Sequence, residues 1–129
     1  MDKLELKNRT KKFAVDIIKY SEKLPSTRPA NIICNQILRS ATSVGANYRA
    51  ACRTRSRADF ISKITIVEEE ADESLFWLEL LLESGIVKSD YEIQRMMKEA
   101  DELVAIFVSS SKTAKANNPK SPLRNPKSI

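Results

Sequence analysis

The sequence contains no histidine, only two glycines and only two cysteines among its 129 residues. Without histidine, the chain cannot form a Ser-His-Asp triad, a Cys-His pair or a histidine metal site. No phosphate-binding glycine loop and no CxxC motif is present. The scarcity of glycine favours long helices without turns. Cys34 and Cys52 lie about 27 Å apart along one predicted helix, so they cannot form a disulfide within it, and we expect reduced thiols.

Nothing in the sequence predicts export, a membrane span or a cofactor. The first twelve residues contain no apolar run, which argues against a signal peptide. The longest apolar run has seven residues and is broken by Glu79, so it is too short to cross a membrane. The acidic residues near Glu69 are interpreted as a solvated or paired face, because the Glu-x-x-His pairs of di-metal bundles are impossible here. We therefore expect a cytoplasmic, nonenzymatic protein without a metal or cofactor.

Charge is strongly segregated along the chain. Residues 31–58 contain five arginines and no acidic residue, which gives them a net charge of +5. Residues 59–83 contain eight acidic residues and one lysine, which gives −7. Such a juxtaposition is consistent with internal pairing, with contacts between subunits, or with an exposed site for a polyanion.

The spacing of apolar residues predicts four helices joined by short turns. This order favours an all-α fold, an antiparallel up-down-up-down four-helix bundle, over residues 1–116. Residues 117–129 contain three prolines and three basic residues without apolar periodicity, and they are predicted to be a disordered basic tail. The predicted helices cover residues 6–24, 29–52, 57–84 and 90–115.

Several residues suggest where these helices begin and end. Ser56 with Asp59 resembles a capping box at the start of the third helix, and Gly85 suits the left-handed residue that follows its end. Ser89 begins a second capping box, S-D-Y-E, before the fourth helix. Gly45 lies inside the second helix, where glycine is unfavourable, so we expect it to allow a close approach of another helix.

The third helix has more apolar surface than one bundle core can cover. One stripe suffices for the core, and a second apolar face remains on the same helix. An uncovered apolar surface of this kind usually marks an interface, so the sequence predicts a homo-oligomer. The residues assigned to this interface are Ile66, Trp77 and Leu80.

A cluster of basic residues is the best functional candidate, because such clusters bind backbone phosphates. Its alternatives are a solvated corner of the bundle or a subunit contact. No aromatic RNA-recognition motif is present, so any binding would depend on shape and charge. Arg39 is treated separately, since it would lie opposite Glu70 or Glu73 and form a structural ion pair. The predicted nucleic-acid-binding residues are Arg49, Arg53, Arg55, Arg57 and Lys63.

Two stretches, LRSATSVGANYRAACRTRSRADF and EEADESLFWLELL, resemble a bacterial family. It is the four-helix-bundle family encoded in intervening sequences of large-subunit ribosomal RNA genes, which includes the accessory variability determinant of diversity-generating retroelements. The family pattern Arg-Ser-x-Thr-Ser-hydrophobic-Gly-Ala-Asn matches residues 39–47. Its Ala-Asp-Phe-Ile-x-Lys matches residues 58–63, and its Glu-Ala-x-Glu with Trp-Leu-Glu-Leu-Leu matches residues 70–81.

The resemblance implies a barrel-like homopentamer. In retroelement members it also implies binding of nucleic acid and of a reverse transcriptase, whereas for most members no activity is established. Two functional hypotheses follow for this chain. The first is a nonenzymatic homo-oligomer that binds RNA or DNA without sequence preference, and the second is a protein-interaction scaffold in which the basic and acidic helices pair.

Overall fold

Four helices make up the computed structural model, which describes residues 1–117. They are α1 (Lys3–Ser21), α2 (Arg28–Ala51), α3 (Arg57–Glu83) and α4 (Tyr91–Ala116), and no strand occurs in this range. Asn117, which begins the predicted tail, caps α4, and residues 118–129 lie outside the described residues. Within residues 1–117, no helix is long and apolar enough to cross a membrane.

The helices form an antiparallel bundle. α2 packs against α1 and α3, α3 also packs against α4, and α1 meets α4 to complete the ring. Pairs between α1 and α4 run in opposite order along the two helices: Arg9 reaches Glu102, and Asp16 reaches Arg95. Likewise, Arg57 at the start of α3 contacts Asn117 at the end of α4. Neighbouring helices therefore alternate in direction, as in an up-down-up-down bundle.

The core consists of one apolar stripe from each helix. In α2, the apolar residues that recur at spacings of three and four are all buried, namely Ile33, Ile37, Ala41, Val44, Tyr48 and Ala51. Within α4, Met96 and Leu103 are fully buried, whereas Met97 and Val104 remain partly exposed. The largest fully buried side chains are Phe13, Phe107, Ile17, Ile37, Ile64, Leu78, Leu81, Ile93, Met96 and Leu103.

The ends of α3 follow the sequence signals. The Ser56 hydroxyl accepts a hydrogen bond from the Asp59 amide at 3.1 Å, which satisfies one of the free amides at the helix start. After the helix, Gly85 has φ of 80°, a left-handed conformation that glycine adopts without a steric penalty. Gly45 has a different role, because it lies where α1 approaches α2 closely. An added Cβ at Gly45 would lie 3.4 Å from the Thr10 carbonyl oxygen of α1.

Other helix ends differ from the sequence expectation. α1 begins at Lys3 rather than at residue 6, because the Asp2 carboxylate accepts from the Glu5 amide at 2.8 Å, and it ends at Ser21 rather than at residue 24. The capping box beginning at Ser89 is wrong by one residue. Asp90 caps α4 by accepting from the Ile93 amide at 2.9 Å, while the Ser89 hydroxyl accepts from the Gln94 side chain.

Candidate nucleic-acid interface

A basic groove runs between α1 and α2 and has a volume of about 410 Å³. Its walls carry Lys7 and Lys11 from α1, Arg49 from α2 and Arg53 from the turn that follows α2, and we call the groove that these four residues define the basic groove. Lys7 and Lys11 are four residues apart within α1, so they lie one helical turn from each other on the same face. No carboxylate lines this groove. It therefore presents only positively charged side chains, and no negatively charged ones, to any ligand that enters.

Small residues make the floor of the groove. Gly45 and Ala46 of α2 line it together with Ala14 of α1 and the short side chain of Thr42. Because none of these side chains is long, the two helices come close and the longer cationic side chains stand above them. Among residues 1–117, no member of the basic groove forms an ion pair with a carboxylate. Their charges are therefore available to a phosphate backbone.

A second concavity lies at one end of the bundle and has a volume of about 660 Å³. We call it the end cleft; its cations are Lys3, Arg55 and Arg57. It is bounded by the turn between α2 and α3 and by the last turns of α4. Arg57 Nη1 donates a hydrogen bond to the Asn117 carbonyl oxygen at 2.7 Å. This contact places a cation at the C-terminus of α4, where the helix dipole favours positive charge.

The five predicted nucleic-acid-binding residues are thus divided between different places. Arg49 and Arg53 lie in the basic groove, Arg55 and Arg57 lie in the end cleft, and Lys63 lines neither. The sequence reasoning missed the lysines of α1 that complete both sites. Their signal was present in the sequence, because Lys3, Lys7 and Lys11 recur at four-residue spacing.

Arg39 lies apart from both concavities and contacts α3. Its guanidinium donates to Glu70 Oε2 at 2.8 Å and also pairs with Glu73. Hydrogen bonds to these two carboxylates raise the pKa of Arg39. Trp77 Nε1 donates to the same Glu73 oxygen at 3.1 Å, so the ion pair and the indole belong to one network between α2 and α3.

The residues assigned to the oligomer interface are only partly buried in the single chain. Ile66, Trp77 and Leu80 all keep some exposure on α3. Beside them, Phe76 is 50% exposed and stacks edge-on against Trp77, with ring centroids 5.0 Å apart. Ile32 of α2 is 55% exposed. This part of α3 therefore presents apolar surface that its own bundle does not cover.

An ion network joins α1 to α4, and the sequence reasoning missed it. Arg9 bridges Glu99 and Glu102 at 2.7 and 2.6 Å, and these hydrogen bonds raise its pKa although burial opposes the shift. Asp16 accepts from Lys12 at 3.0 Å and from Arg95 at 2.9 Å. Partial burial alone would raise the pKa of Asp16, but the hydrogen bonds from the two cations outweigh it and lower that pKa.

Other chemistry is sparse in the described part of the chain. Residues 1–117 contain no group of three or more cysteine, aspartate or glutamate side chains arranged to hold a metal ion. Cys34 and Cys52 are both free thiols. Burial raises the pKa of Tyr20 to about 12, so its phenol stays protonated at neutral pH. The two concavities lined by cations are therefore the candidate binding sites that remain.

Comparison with known proteins identifies a family and a similar solved structure. The family model described as 23S rRNA-intervening sequence protein matches residues 2–109. The crystal structure of a protein of unknown function from the S23 ribosomal protein family of Bacteroides thetaiotaomicron VPI-5482 is 34% identical in sequence, with a TM-score of 0.75. The match covers 83% of this chain and 98% of that one. No curated protein matches the chain.

Proposed function

Because this chain belongs to the 23S rRNA-intervening sequence protein family, we propose that it is a nonenzymatic RNA-binding protein. In this proposal, the basic groove holds phosphates of the RNA backbone. One observation carries it: four cations line the groove, none is paired with a carboxylate of residues 1–117, and no carboxylate lies among them. Such a surface attracts backbone phosphates, because its binding releases the counterions that are condensed on them.

The composition of the groove indicates how RNA is recognised. No aromatic side chain lines it, so bases cannot stack there as they do on single-strand binding surfaces. Its cations contact the backbone and its floor is made of short side chains, neither of which reads base edges. Binding is therefore expected to be independent of sequence. With four phosphate contacts per protomer, affinity falls by about three to four decades per decade of salt.

Fluorescence anisotropy of a labelled RNA at several salt concentrations tests this proposal. The double variant Arg49→Glu/Arg53→Glu removes half of the basic groove, and we expect its salt slope to fall by about two. The matched control is Lys19→Glu/Lys88→Glu, which reverses two exposed charges outside both concavities. Equal losses in the two variants, or no salt-dependent binding by the wild type, would overturn the proposal.

We also propose that the protein acts as a homo-oligomer, as a ring of five copies if the family resemblance extends to assembly. The uncovered apolar face of α3, with Ile66, Trp77 and Leu80, is the surface that a second copy would bury. Assembly would place several basic grooves on one particle. A long RNA could then occupy more than one groove, and each added contact would be effectively intramolecular.

A protein-interaction scaffold is the second candidate, and the half-exposed aromatic ring of Phe76 favours it. Such a scaffold would bind a protein partner, for example the reverse transcriptase that the retroelement resemblance implies. The two candidates predict different results for Arg49→Glu/Arg53→Glu. RNA binding predicts a changed salt slope at constant particle mass, whereas a scaffold with basic contacts predicts a changed mass by light scattering.

A further inference from the structure

We propose that the end cleft receives the terminal phosphate of a nucleic-acid strand whose backbone lies in the basic groove. The cleft would thereby distinguish a phosphorylated strand end from a hydroxyl end. This inference rests on the proposed function, because it requires a strand in the groove. It assigns a separate site, with its own ligand chemistry, to residues at the end of the bundle.

Two rows of cations connect the groove to the cleft. On α1, Lys11, Lys7 and Lys3 follow one another at single-turn spacing, and the first two line the groove while Lys3 lines the cleft. On the other side, Arg53 lines the groove and Arg55, two residues later, lines the cleft. A backbone that follows these charges towards the end of the bundle therefore arrives in the cleft.

The far wall of the cleft ends this path. It is formed by Ser109, Ser110 and Thr113 of α4, together with Asn117. A strand that enters between α1 and α2 meets α4 across the end of the bundle. Its last group, rather than an internal phosphodiester, is then the group placed among the cations of the cleft.

The lining chemistry suits a phosphomonoester better than a phosphodiester. A terminal phosphate carries a charge of about −1.5 to −2 at neutral pH and three acceptor oxygens, whereas an internal phosphodiester carries one charge. The cleft offers Lys3, Arg55 and Arg57, and no carboxylate lines it. The hydroxyl groups of Ser109, Ser110 and Thr113 on α4 add neutral donors. The additional negative charge and the additional acceptor oxygen of a terminal phosphate would therefore both have partners in the end cleft.

Arg57 is held in place before any ligand arrives. Its Nη1 donates to the Asn117 carbonyl oxygen at 2.7 Å, which fixes the guanidinium at the wall of the cleft. A guanidinium has five N–H donors, so this contact leaves others for a phosphate. Pre-positioning reduces the conformational entropy that the side chain loses on binding.

The experiment compares three RNAs of equal length and sequence: one with a 5′-phosphate, one with a 3′-phosphate and one with hydroxyls at both ends. We expect a phosphate at one end to strengthen binding by about tenfold, the size of one added charge-assisted hydrogen bond. Arg55→Gln should abolish this preference, because it should lower the affinity for the phosphorylated RNA about tenfold more than the affinity for the hydroxyl-ended RNA. Lys88→Gln, which removes one charge outside the cleft, should keep the preference.

A pH series supplies a second measurement. The phosphomonoester loses its second charge as pH falls through about 6, so the preference should shrink between pH 7.5 and pH 5. The chain has no histidine, so no imidazole of the protein titrates over this range. A preference that is constant with pH would overturn the proposal, as would one that survives Arg55→Gln.

A free mononucleotide separates the two possible sources of a phosphomonoester. We expect adenosine monophosphate to compete weakly, because it makes no contact with the groove. If it competes as well as the phosphorylated RNA, and Arg49→Glu/Arg53→Glu leaves that competition unchanged, the cleft is a nucleotide site and the strand-end proposal is wrong. RNAs that bind equally, whatever their ends, would overturn this proposal alone. A wild type that binds no RNA would overturn the proposed function as well.

Discussion

Ser40 of α2 and Ser74 of α3 meet inside the bundle, with their hydroxyl oxygens 2.9 Å apart. Both residues are completely buried. The Ser74 hydroxyl also lies 2.8 Å from the Glu70 carbonyl oxygen, and the Ser40 hydroxyl lies 3.3 Å from that of Ile37. Each polar group is therefore satisfied without water. This pair lies beside the surface ion pairs of Arg39, so polar contacts join α2 and α3 both inside and outside the core.

The serine pair should stabilise the fold as a unit. We expect Ser40→Ala and Ser74→Ala each to lower the free energy of unfolding by about 1 kcal/mol, since each removes the shared hydrogen bond and the contact of that hydroxyl with a carbonyl of its own helix. The double variant should cost less than the sum, because the shared bond is lost only once. Urea unfolding measures all three values, with Thr42→Ala, an exposed hydroxyl that bonds only its own helix, as the control. Strictly additive losses would contradict a direct pair.

The two glycines should respond oppositely to alanine. Gly85→Ala places a Cβ at φ of 80° and should cost about 1–2 kcal/mol. Gly45→Ala lies in α2, where alanine is favoured over glycine by up to about 1 kcal/mol. Its new Cβ would be 3.4 Å from the Thr10 carbonyl oxygen, which is ordinary contact, so we expect a neutral or stabilising effect. Urea unfolding of both variants decides; a destabilised Gly45→Ala would show that α1 cannot yield there.

Asp16 should contribute to acid stability. Its pKa is lowered in the folded protein by hydrogen bonds from Lys12 and Arg95, which overcome the effect of burial. The contribution is therefore present above the unfolded pKa of about 3.9 and is lost as pH falls through the folded value. We expect Asp16→Asn to be less stable than wild type at pH 7 and equally stable near pH 2. Urea midpoints across this range test it, and a constant difference would contradict the prediction.

Trp77→Glu should disrupt the proposed oligomer. A carboxylate at the centre of the apolar face would have to be buried without a partner, which is strongly unfavourable. Light scattering should show a monomer, while circular dichroism should show unchanged helix content. If Trp77→Glu unfolds because the indole also packs within the protomer, Phe76→Glu provides the same test at a residue that is half exposed. A wild type that is itself monomeric would refute the interface.

Helix identity could be predicted because apolar spacing and caps agree over long segments. In α3, the Ser56 cap and the left-handed Gly85 both follow from residue type alone. The choice between Ser89 and Asp90 as the cap of α4 could not be made, because both residue types favour that position. The buried face of α4 was similarly ambiguous. Helical spacing favoured Met97 and Val104 for the core face, with Met96 and Leu103 beside them, whereas Met96 and Leu103 are the residues that are fully buried.

The sequence identified only part of the candidate site, and the reason is different. The arginines from Arg49 to Arg57 form a conspicuous run without acids, so sequence reasoning found them. The lysines of α1 lie far away in the sequence and are mixed with acidic neighbours, so only the packing of α1 on α2 shows that Lys7 and Lys11 join Arg49 and Arg53. The sequence likewise does not show that Arg53 lines the groove and Arg55 lines the cleft, because this division depends on where α2 ends.

The two walls of the basic groove are not held with equal strength. The α2 wall belongs to a helix packed extensively between two neighbours, whereas α1 packs less extensively on α4, and the ion pairs of Arg9 and Asp16 join these two helices at the surface. Partly exposed pairs weaken when salt screens them. Raising the salt concentration would therefore loosen the wall that carries Lys7 and Lys11 while it also displaces a polyanion. Hydrogen exchange would measure the local opening of α1 at each salt concentration, and this opening should rise over the same salt range in which RNA is lost. The loss of RNA affinity with salt should then be steeper than the number of phosphate contacts alone predicts.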